Sequence, residues 1–469
     1  SFFIQTSATM LTNMKDDKIW RKNSSWFKEN ELSTQSVQTL IGHFLHDRNS
    51  ESLLGNKIIQ SLEGTWGQKP FEKIIESDKD MMWFMKNPQS LNNTISIIEP
   101  AEHVGHNLYK DENGLGEEVR ASSNMAYISR IISDCDSLLF PIWKSGVLDN
   151  DLMMNILRSS MAIVVEGGHP SVRDAKSFEN SNISLVQLIE LTEQLLLSRN
   201  HKSAPVIFIC MGHQLVAQAH VNLIKKAVQN IKENLASIIN PEDYKYQALI
   251  SVCNEIQSVG KKLKIIKENK EVANGWDDPN FAVAANETVE LGECELSHYN
   301  HDGKHPSDDF QKLLIKHNQI ANEYDGIVEH SVSYEKNLNI LMFHSDEVNE
   351  EAVLFANWAY ASLYETLASC NTELSVSPLA WVLQMPSSIE ILCSTSANGK
   401  TLTEVAGTCI NYKDYETQKI RRSFSFQFHP ELLSDLREFR VAGTPDFNTL
   451  KNDDGIRMLM RVLYECMLD

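Results

Sequence analysis

The chain lacks any run of 18 or more consecutive apolar residues, whereas a transmembrane helix needs about 20. Basic residues are also few, since 43 Lys and Arg stand against 63 Asp and Glu, which gives a formal net charge of -20. Binding to nucleic acid or to an anionic membrane depends mainly on cationic side chains. These two shortages predict that neither a membrane nor a nucleic acid is a partner.

The 8 cysteines include no Cys-x-x-Cys pair, so their spacing indicates neither a structural zinc site nor a disulfide framework. This usage predicts a cytoplasmic protein, and a bacterial protein exported into a host cytosol would show the same pattern. His298, His301 and His305 lie in a segment that also carries aspartates, a combination that can ligate zinc or manganese. A solvated polar loop explains that segment better, and we expect no metal and no cofactor.

The length of 469 residues exceeds that of one ordinary domain, which has about 100–200 residues. Residues 1–92 are polar, rich in Lys, Asn and Ser, and contain short amphipathic stretches, so they predict a helical N-terminal extension. A β-branched run begins directly after Asn93. We therefore expect a second unit, a catalytic domain, over residues 93–469.

Short apolar runs separated by helical patterns predict the fold of that domain. The runs are typical of buried parallel strands, and they lie at 94–98, 137–141, 162–165 and 206–209. Strands that alternate with helices predict an α/β fold with a doubly wound, mostly parallel sheet. In such sheets the active site lies beyond the carboxyl ends of the strands.

Residues 221–272 follow a different pattern, which predicts a helical insertion between two strands. Apolar residues recur at helical spacing up to Pro241, which breaks the run. A second helix is expected from Tyr244 to Lys270. The insertion and the N-terminal extension could determine the substrate or the partner of the protein, or they could form a stabilising cap.

Cys210 is the first candidate for chemistry. An apolar strand pattern runs directly into it, and Gly212-His213-Gln214 then begins an apparent helix. A nucleophile on such a strand-to-helix turn lies near the positive helix N-terminus and beside a backbone N–H that can bind an oxyanion. That environment favours the thiolate. The strand pattern by itself fits a buried core cysteine better, and the Gly-His-Gln that follows favours the nucleophile.

Two further segments carry residues that could act with this cysteine. A strand of alternating aromatic and polar residues ends in His429, and Glu431 follows two positions later, so a carboxylate could orient a base. Gly167 and Gly168 follow the run at 162–165, and glycine lets backbone N–H groups turn towards an oxyanion. Taken singly, an ordinary polar loop and an ordinary Gly-Gly turn explain these segments.

In this order, the three segments resemble the class I glutamine amidotransferase family. That family has an oxyanion strand Gly-Gly-x-x-Ser, a nucleophile turn Gly-x-Cys-x-Gly-His-Gln and a closing strand Gln-Phe-His-Pro-Glu. Residues 343–348 resemble its His-x-Asp-x-Val segment, and residues 287–292 resemble a Glu-Leu-Gly strand. The matches span residues 94 to about 435.

The resemblance implies a Cys-His-Glu triad that hydrolyses the γ-carboxamide of glutamine and releases ammonia. Cys210 would form a γ-glutamyl thioester, His429 would move the proton and Glu431 would orient His429.

The resemblance also implies an oxyanion hole and a substrate pocket. The backbone N–H groups of Gly168 and Met211 would bind the oxyanion, and Gln214 and His344 would help to hold the substrate.

Some features depart from the family pattern. Phe208 stands where the family normally has glycine two residues before the nucleophile, and His169-Pro170 replaces the more usual Pro-Gly. No synthetase, ATP-pyrophosphatase or P-loop segment is present, so an ammonia acceptor would be a separate protein or absent. Two alternatives stay open: a γ-glutamyl hydrolase or peptidase acting on another γ-glutamyl amide, and a catalytically inactive binding module.

Overall fold

The computed structural model describes about three fifths of the chain. The described residues are 72–102, 104–106, 118–133, 136–197, 203–267, 270–273, 275–298, 338–369, 380–397, 400–413 and 420–431, with Gly455, Leu459 and Val462. Most of the predicted N-terminal extension, residues 1–71, lies outside them. So do two of the three histidines considered as metal ligands, His301 and His305.

Helices and strands alternate through the first part of the described chain. The strands are β1 (Glu72–Ile74), β2 (Thr94–Glu99), β3 (Val104–His106), β4 (Glu118–Arg120), β5 (Asp136–Pro141), β6 (Ala162–Val165), β7 (Val206–Ile209), β8 (Lys264–Lys267), β9 (Lys270–Ala273), β10 (Val283–His298), β11 (Leu338–Val348), β12 (Ser388–Ala397), β13 (Lys400–Lys413) and β14 (Ile420–Phe426). The helices are α1 (Asp78–Lys86), α2 (Ala121–Ser133), α3 (Ile142–Ser145), α4 (Asn150–Ser159), α5 (Leu185–Leu196), α6 (Met211–Asn234), α7 (Tyr244–Lys262) and α8 (Glu350–Ser369).

A 10-stranded sheet in the order β1-β5-β2-β6-β7-β14-β13-β12-β10-β11 organises the described residues. Neighbouring strands from β1 to β14 in this order are parallel, and those from β14 to β11 are antiparallel. The α/β class is confirmed, as are the four strands expected from the apolar runs. The apolar runs in the sequence do not predict the long antiparallel part of this sheet.

The strand order reverses direction at β2. The chain passes from β2 to β5 on one side and then crosses to β6 on the other, after which it continues outward to β7. Ligands in parallel sheets bind beyond the carboxyl ends of the strands that flank such a reversal. The ends of β2, β6 and β7 are therefore where a site is expected.

The helical insertion differs from its prediction in two respects. α6 runs unbroken from Met211 to Asn234, so position 221 marks no boundary, and α7 ends at Lys262. A hairpin of β8 and β9 replaces the expected helix up to Lys270. The β-branched pair Ile265 and Ile266 favours a strand over a helix there.

The insertion also contributes to the main core. Leu249, Cys253 and Ile256 on α7 are completely buried, and they join the same apolar cluster as the inner residues of α6 and α8. This packing favours the stabilising role that the sequence analysis left open. None of the helices in the described ranges is long and apolar enough to cross a membrane.

Close packing of α6 against the sheet depends on Gly212. A Cβ added there would lie 2.8 Å from the carbonyl oxygen of Val165 and 3.3 Å from Cβ of Phe208. Phe208, which departs from the family pattern, is fully buried. The glycine two residues after Cys210 thus leaves the room that this phenylalanine needs.

We predict that Gly212→Ala lowers the free energy of unfolding by about 1–3 kcal/mol, because the new methyl group meets rigid backbone and forces α6 away from the sheet. Urea denaturation measures this change. Gln229→Ala, at an exposed position of the same helix, serves as the control and should change stability by less than about 0.5 kcal/mol. An equally stable Gly212→Ala variant would contradict the close packing.

Candidate active site

Four strand ends converge on one group of side chains. Glu99 is the last residue of β2, Glu166 follows β6, and Cys210 follows β7. His429 and Glu431 follow β14, which is parallel to β7 and adjacent to it. The structure therefore brings the three predicted triad residues to the edge of the sheet where the strand order predicts a site.

Cys210 occupies the predicted turn between β7 and α6. Its backbone φ is 53°, and within the described ranges it is the one residue other than glycine with a positive φ. Such a conformation costs about 1–3 kcal/mol for an ordinary residue. The N–H of Cys210 donates to the carbonyl oxygen of Phe426 at 2.7 Å, which ties the turn to β14.

His429 and Glu431 form a buried pair next to this turn. His429 Nδ1 lies 2.7 Å from Glu431 Oε1, and both side chains are completely buried. With Nδ1–H donating to the carboxylate, Nε2 is left as the basic nitrogen of the ring. This is the orientation that a general base requires.

Gly167 lies between the base and the nucleophile. A Cβ added there would lie 3.3 Å from Cε1 of His429, 3.4 Å from Sγ of Cys210 and 2.8 Å from Cβ of Cys210. A side chain at this position would therefore occupy the space between ring and sulfur. Glycine keeps that space open.

The protonation state of Cys210 differs from the sequence-based expectation. Burial raises the pKa of its thiol to about 12, and the negative charge of Glu431 contributes to the rise. The backbone N–H groups of Met211 and Gly168 point at the sulfur and lower the pKa only in part. The prediction of a preformed thiolate is thus wrong, because desolvation outweighs the helix N-terminus.

The two residues predicted to form the oxyanion hole both lie beside Cys210, and that role stays a prediction. Met211 begins α6 immediately after Cys210, and Gly168 follows β6. Their N–H groups converge on the sulfur from two elements. An oxyanion formed on a carbonyl carbon bonded to this sulfur would lie close to both donors.

Gln214 makes contacts within the protein. Its Nε2 donates to the backbone oxygen of Asp346 at 2.8 Å and to Oε1 of Gln427 at 3.3 Å. Gln427, which the sequence analysis did not single out, in turn directs Nε2 at the sulfur of Cys210, 3.8 Å away. Gln214 is therefore linked to the nucleophile through the side chain of Gln427. His344 lies on β11 opposite Glu290 of β10, and its predicted role stays a prediction.

A polar link joins the loop after β6 to β11, and sequence reasoning missed it. The hydroxyl of Ser171 donates to the carboxylate of Asp346, and Arg173 Nε lies 3.0 Å from the other oxygen of that carboxylate. Asp346 is 175 residues from Ser171, so no local pattern indicates the contact. The link therefore joins the loop after β6 to Asp346, whose backbone oxygen accepts from Gln214.

Glu166 and Glu431 form the other unanticipated feature. Glu166 is 1% exposed and Glu431 is completely buried. Burial raises the pKa of both carboxyls, that of Glu431 to about 8. The charges of Glu431 and Glu99 raise the pKa of Glu166 further. An acidic residue directly after a fully apolar parallel strand is the sequence signal that could have indicated Glu166.

Glu166, His429 and Glu431 offer ligand atoms that all lie within 4.8 Å of one another. A tetrahedral zinc ion with bonds of about 2.0–2.1 Å would separate adjacent ligand atoms by about 3.4 Å. The 2.7 Å between His429 Nδ1 and Glu431 Oε1 is instead the length of a hydrogen bond between these two atoms. The geometry therefore assigns His429 and Glu431 to a hydrogen-bonded pair.

Comparisons with known proteins give no match, either to a protein-family model or to a curated protein sequence. The resemblance to class I glutamine amidotransferases therefore depends on the motifs and on where their residues lie.

We predict that the rate of Cys210 alkylation by iodoacetamide keeps increasing with pH well beyond 9.0, the ordinary pKa of a thiol, since burial raises this pKa to about 12. Mass spectrometry of the peptide that contains Cys210 measures the rate, and Cys210→Ala identifies the signal. A rate that levels off below pH 9.0 would show a thiolate of low pKa and contradict the desolvated site.

Proposed function

We propose that this protein is a cysteine-dependent glutaminase or glutamine amidotransferase that hydrolyses the γ-carboxamide of glutamine and releases ammonia. The observation that carries the proposal is the buried 2.7 Å bond between His429 and Glu431 beside a cysteine held at a positive φ. The doubly wound fold of class I glutamine amidotransferases is part of the same proposal.

In the first half of the reaction, Sγ of Cys210 attacks the γ-carbonyl carbon of the substrate. Nε2 of His429 takes the thiol proton, and the carboxylate of Glu431 stabilises the imidazolium through Nδ1–H. The N–H groups of Gly168 and Met211 stabilise the developing oxyanion. His429 then gives the proton to the leaving nitrogen, so ammonia departs and a γ-glutamyl thioester remains on Cys210.

In the second half, water replaces ammonia. Nε2 of His429 takes a proton from the water as its oxygen attacks the thioester carbon. Collapse of the tetrahedral intermediate breaks the C–S bond, and the proton returns from His429 to the sulfur. Glutamate leaves and the neutral thiol is restored.

The raised thiol pKa is consistent with this scheme. A neutral thiol next to a neutral imidazole carries no buried charge before substrate binds. The ion pair of thiolate and imidazolium then forms only as the carbonyl carbon becomes available, so its energetic cost falls within the catalytic step. Cys210 should consequently react with glutamine-like electrophiles that occupy the site more readily than with a simple alkylating reagent.

The acceptor of ammonia, if there is one, would be bound by a separate synthetase or acceptor protein. The γ-glutamyl hydrolase alternative uses the same three side chains, because His429 can protonate any amine that leaves a γ-glutamyl carbonyl. Release of glutamate from glutamine supports a glutaminase or glutamine amidotransferase. Release only from substituted γ-glutamyl amides supports a γ-glutamyl hydrolase, and no release from either class supports an inactive binding module.

We predict that Cys210→Ala and His429→Ala each lower kcat on the order of 10⁴-fold or more, because either change removes the proton-transfer pair. Glu431→Gln should retain a remainder one to two orders of magnitude larger, roughly, since Glu431 orients the base without exchanging the substrate proton. Coupled assays of ammonia and glutamate release measure these losses.

The matched control is Cys253→Ala, which changes a buried cysteine of α7 and should leave kcat unchanged. The double variant Cys210→Ala with His429→Ala should be no slower than the slower single variant. If the two losses multiplied instead, the residues would not act as one unit, and the triad assignment would fail.

A further inference from the structure

Glu166 has no part in the mechanism above, yet it lies against the triad. No N–H or O–H group of the described residues donates a well-formed hydrogen bond to either of its carboxyl oxygens, nor to Oε2 of Glu431. Oε1 of Glu431, by contrast, has His429 Nδ1 at 2.7 Å. Ligand atoms of Glu166, His429 and Glu431 lie within 4.8 Å of one another.

Two carboxylates this close in a dry environment cannot both be ionised without a compensating charge. The titratable groups that face Glu166 are Glu431 and His429 after β14, Glu99 at the end of β2 and Cys210 after β7. None of these side chains is lysine or arginine. A proton on one carboxyl removes the repulsion and supplies the missing donor.

The neighbours of each carboxyl decide which one holds that proton. Glu431 accepts from His429 Nδ1, which stabilises its ionised form. Glu99 accepts from the hydroxyl of Ser122 and from Nε1 of Trp143, so its two oxygens have donors outside the pair. The backbone N–H of Gly167 lowers the pKa of Glu166, but burial and the charges of Glu431 and Glu99 raise it more, so its protonated form is favoured.

We propose that Glu166 is a positioning residue that holds a proton and donates it as a hydrogen bond to Oε2 of Glu431, which fixes Glu431 with Oε1 towards His429. A hydrogen bond from Glu166 lowers the pKa of Glu431, and the same bond raises the pKa of Glu166. The hydrogen bond itself is independent of the reaction, whereas its catalytic consequence rests on the proposed function.

The sign of the pH dependence follows from this hydrogen bond. His429 can act as a base through Nε2 only while Glu431 is ionised and accepts from Nδ1–H. Removing the donor on Glu166 raises the pKa of Glu431, so a higher pH is needed to ionise it. The acidic limb of the kcat/KM profile then shifts to higher pH.

Two variants separate the hydrogen bond from mere space filling. Glu166→Gln keeps the shape and an N–H donor, so kcat should stay within about 10-fold of the parent value with an acidic limb in place. Glu166→Leu keeps approximately the same volume but has no donor. Its kcat should be at least about 10-fold lower than that of Glu166→Gln, and its KM should change little. The acidic limb of its kcat/KM profile should lie at higher pH. Glu193→Gln, which changes a buried glutamate of α5 paired with Lys226 of α6, is the matched control and should change neither kcat nor the pH of the acidic limb.

Infrared spectroscopy tests the proton directly and needs no substrate. At a pH above the pKa of Glu431, which is about 8, the parent protein should show the C=O stretching band of a buried protonated carboxyl, and Glu166→Gln should lack it. Glu193→Gln should keep it. A band that persists in Glu166→Gln would overturn the proposal, whether or not the protein hydrolyses glutamine.

Stability supplies a readout that stays valid if Glu166→Leu fails to fold. A raised pKa of Glu166 in the folded state makes the free energy of unfolding fall as the pH rises above 4.5, the ordinary value, because the unfolded chain then binds fewer protons than the folded one. Glu166→Gln removes this contribution, so its stability should fall less steeply with pH. Identical slopes in parent and variant would also overturn the proposal.

Discussion

The left-handed backbone of Cys210 is the constraint on which the rest of the site depends. A φ of 53° is unfavourable for cysteine, and it persists because the turn is bonded to β14 through Phe426. Gly212 lets α6 start directly against β6, and Gly167 leaves room for the sulfur and the imidazole ring. Replacing either glycine would force the nucleophile, the base or the helix to move.

Burial is the second physical constraint on the site, because it raises the free energy of every ionised side chain there. Cys210, Glu166, His429 and Glu431 are all at most 5% exposed, so each ionised form is costly. The thiol stays neutral for this reason, and one carboxyl of the acidic pair keeps its proton. The thiol is therefore neutral at rest, and charge separation between the sulfur and the imidazole ring is deferred to the step in which the carbonyl carbon is attacked.

Local patterns in the sequence were enough to predict the strands and the sharp turn. Apolar runs of four or five residues identify buried strands, and the four strands expected from them are present. Contacts over long separations were not predictable in this way. Glu166 after β6 meets Glu431 after β14 with β7 between the two strands, and these residues are far apart in the sequence. The thiolate was wrongly expected at Cys210 because the helix N-terminus is visible in sequence while the depth of burial is not.

The central claim is that Cys210 forms a γ-glutamyl thioester. Rapid mixing of the protein with glutamine and a panel of substituted γ-glutamyl amides, followed by acid quenching and intact mass spectrometry, tests it most directly. If the thioester forms, a transient adduct with the mass of one γ-glutamyl group is expected on the peptide that contains Cys210. Hydroxylamine should cleave the adduct, and Cys210→Ala should not form it. A folded protein that forms no adduct with any member of the panel, or forms it on another residue, would contradict the account.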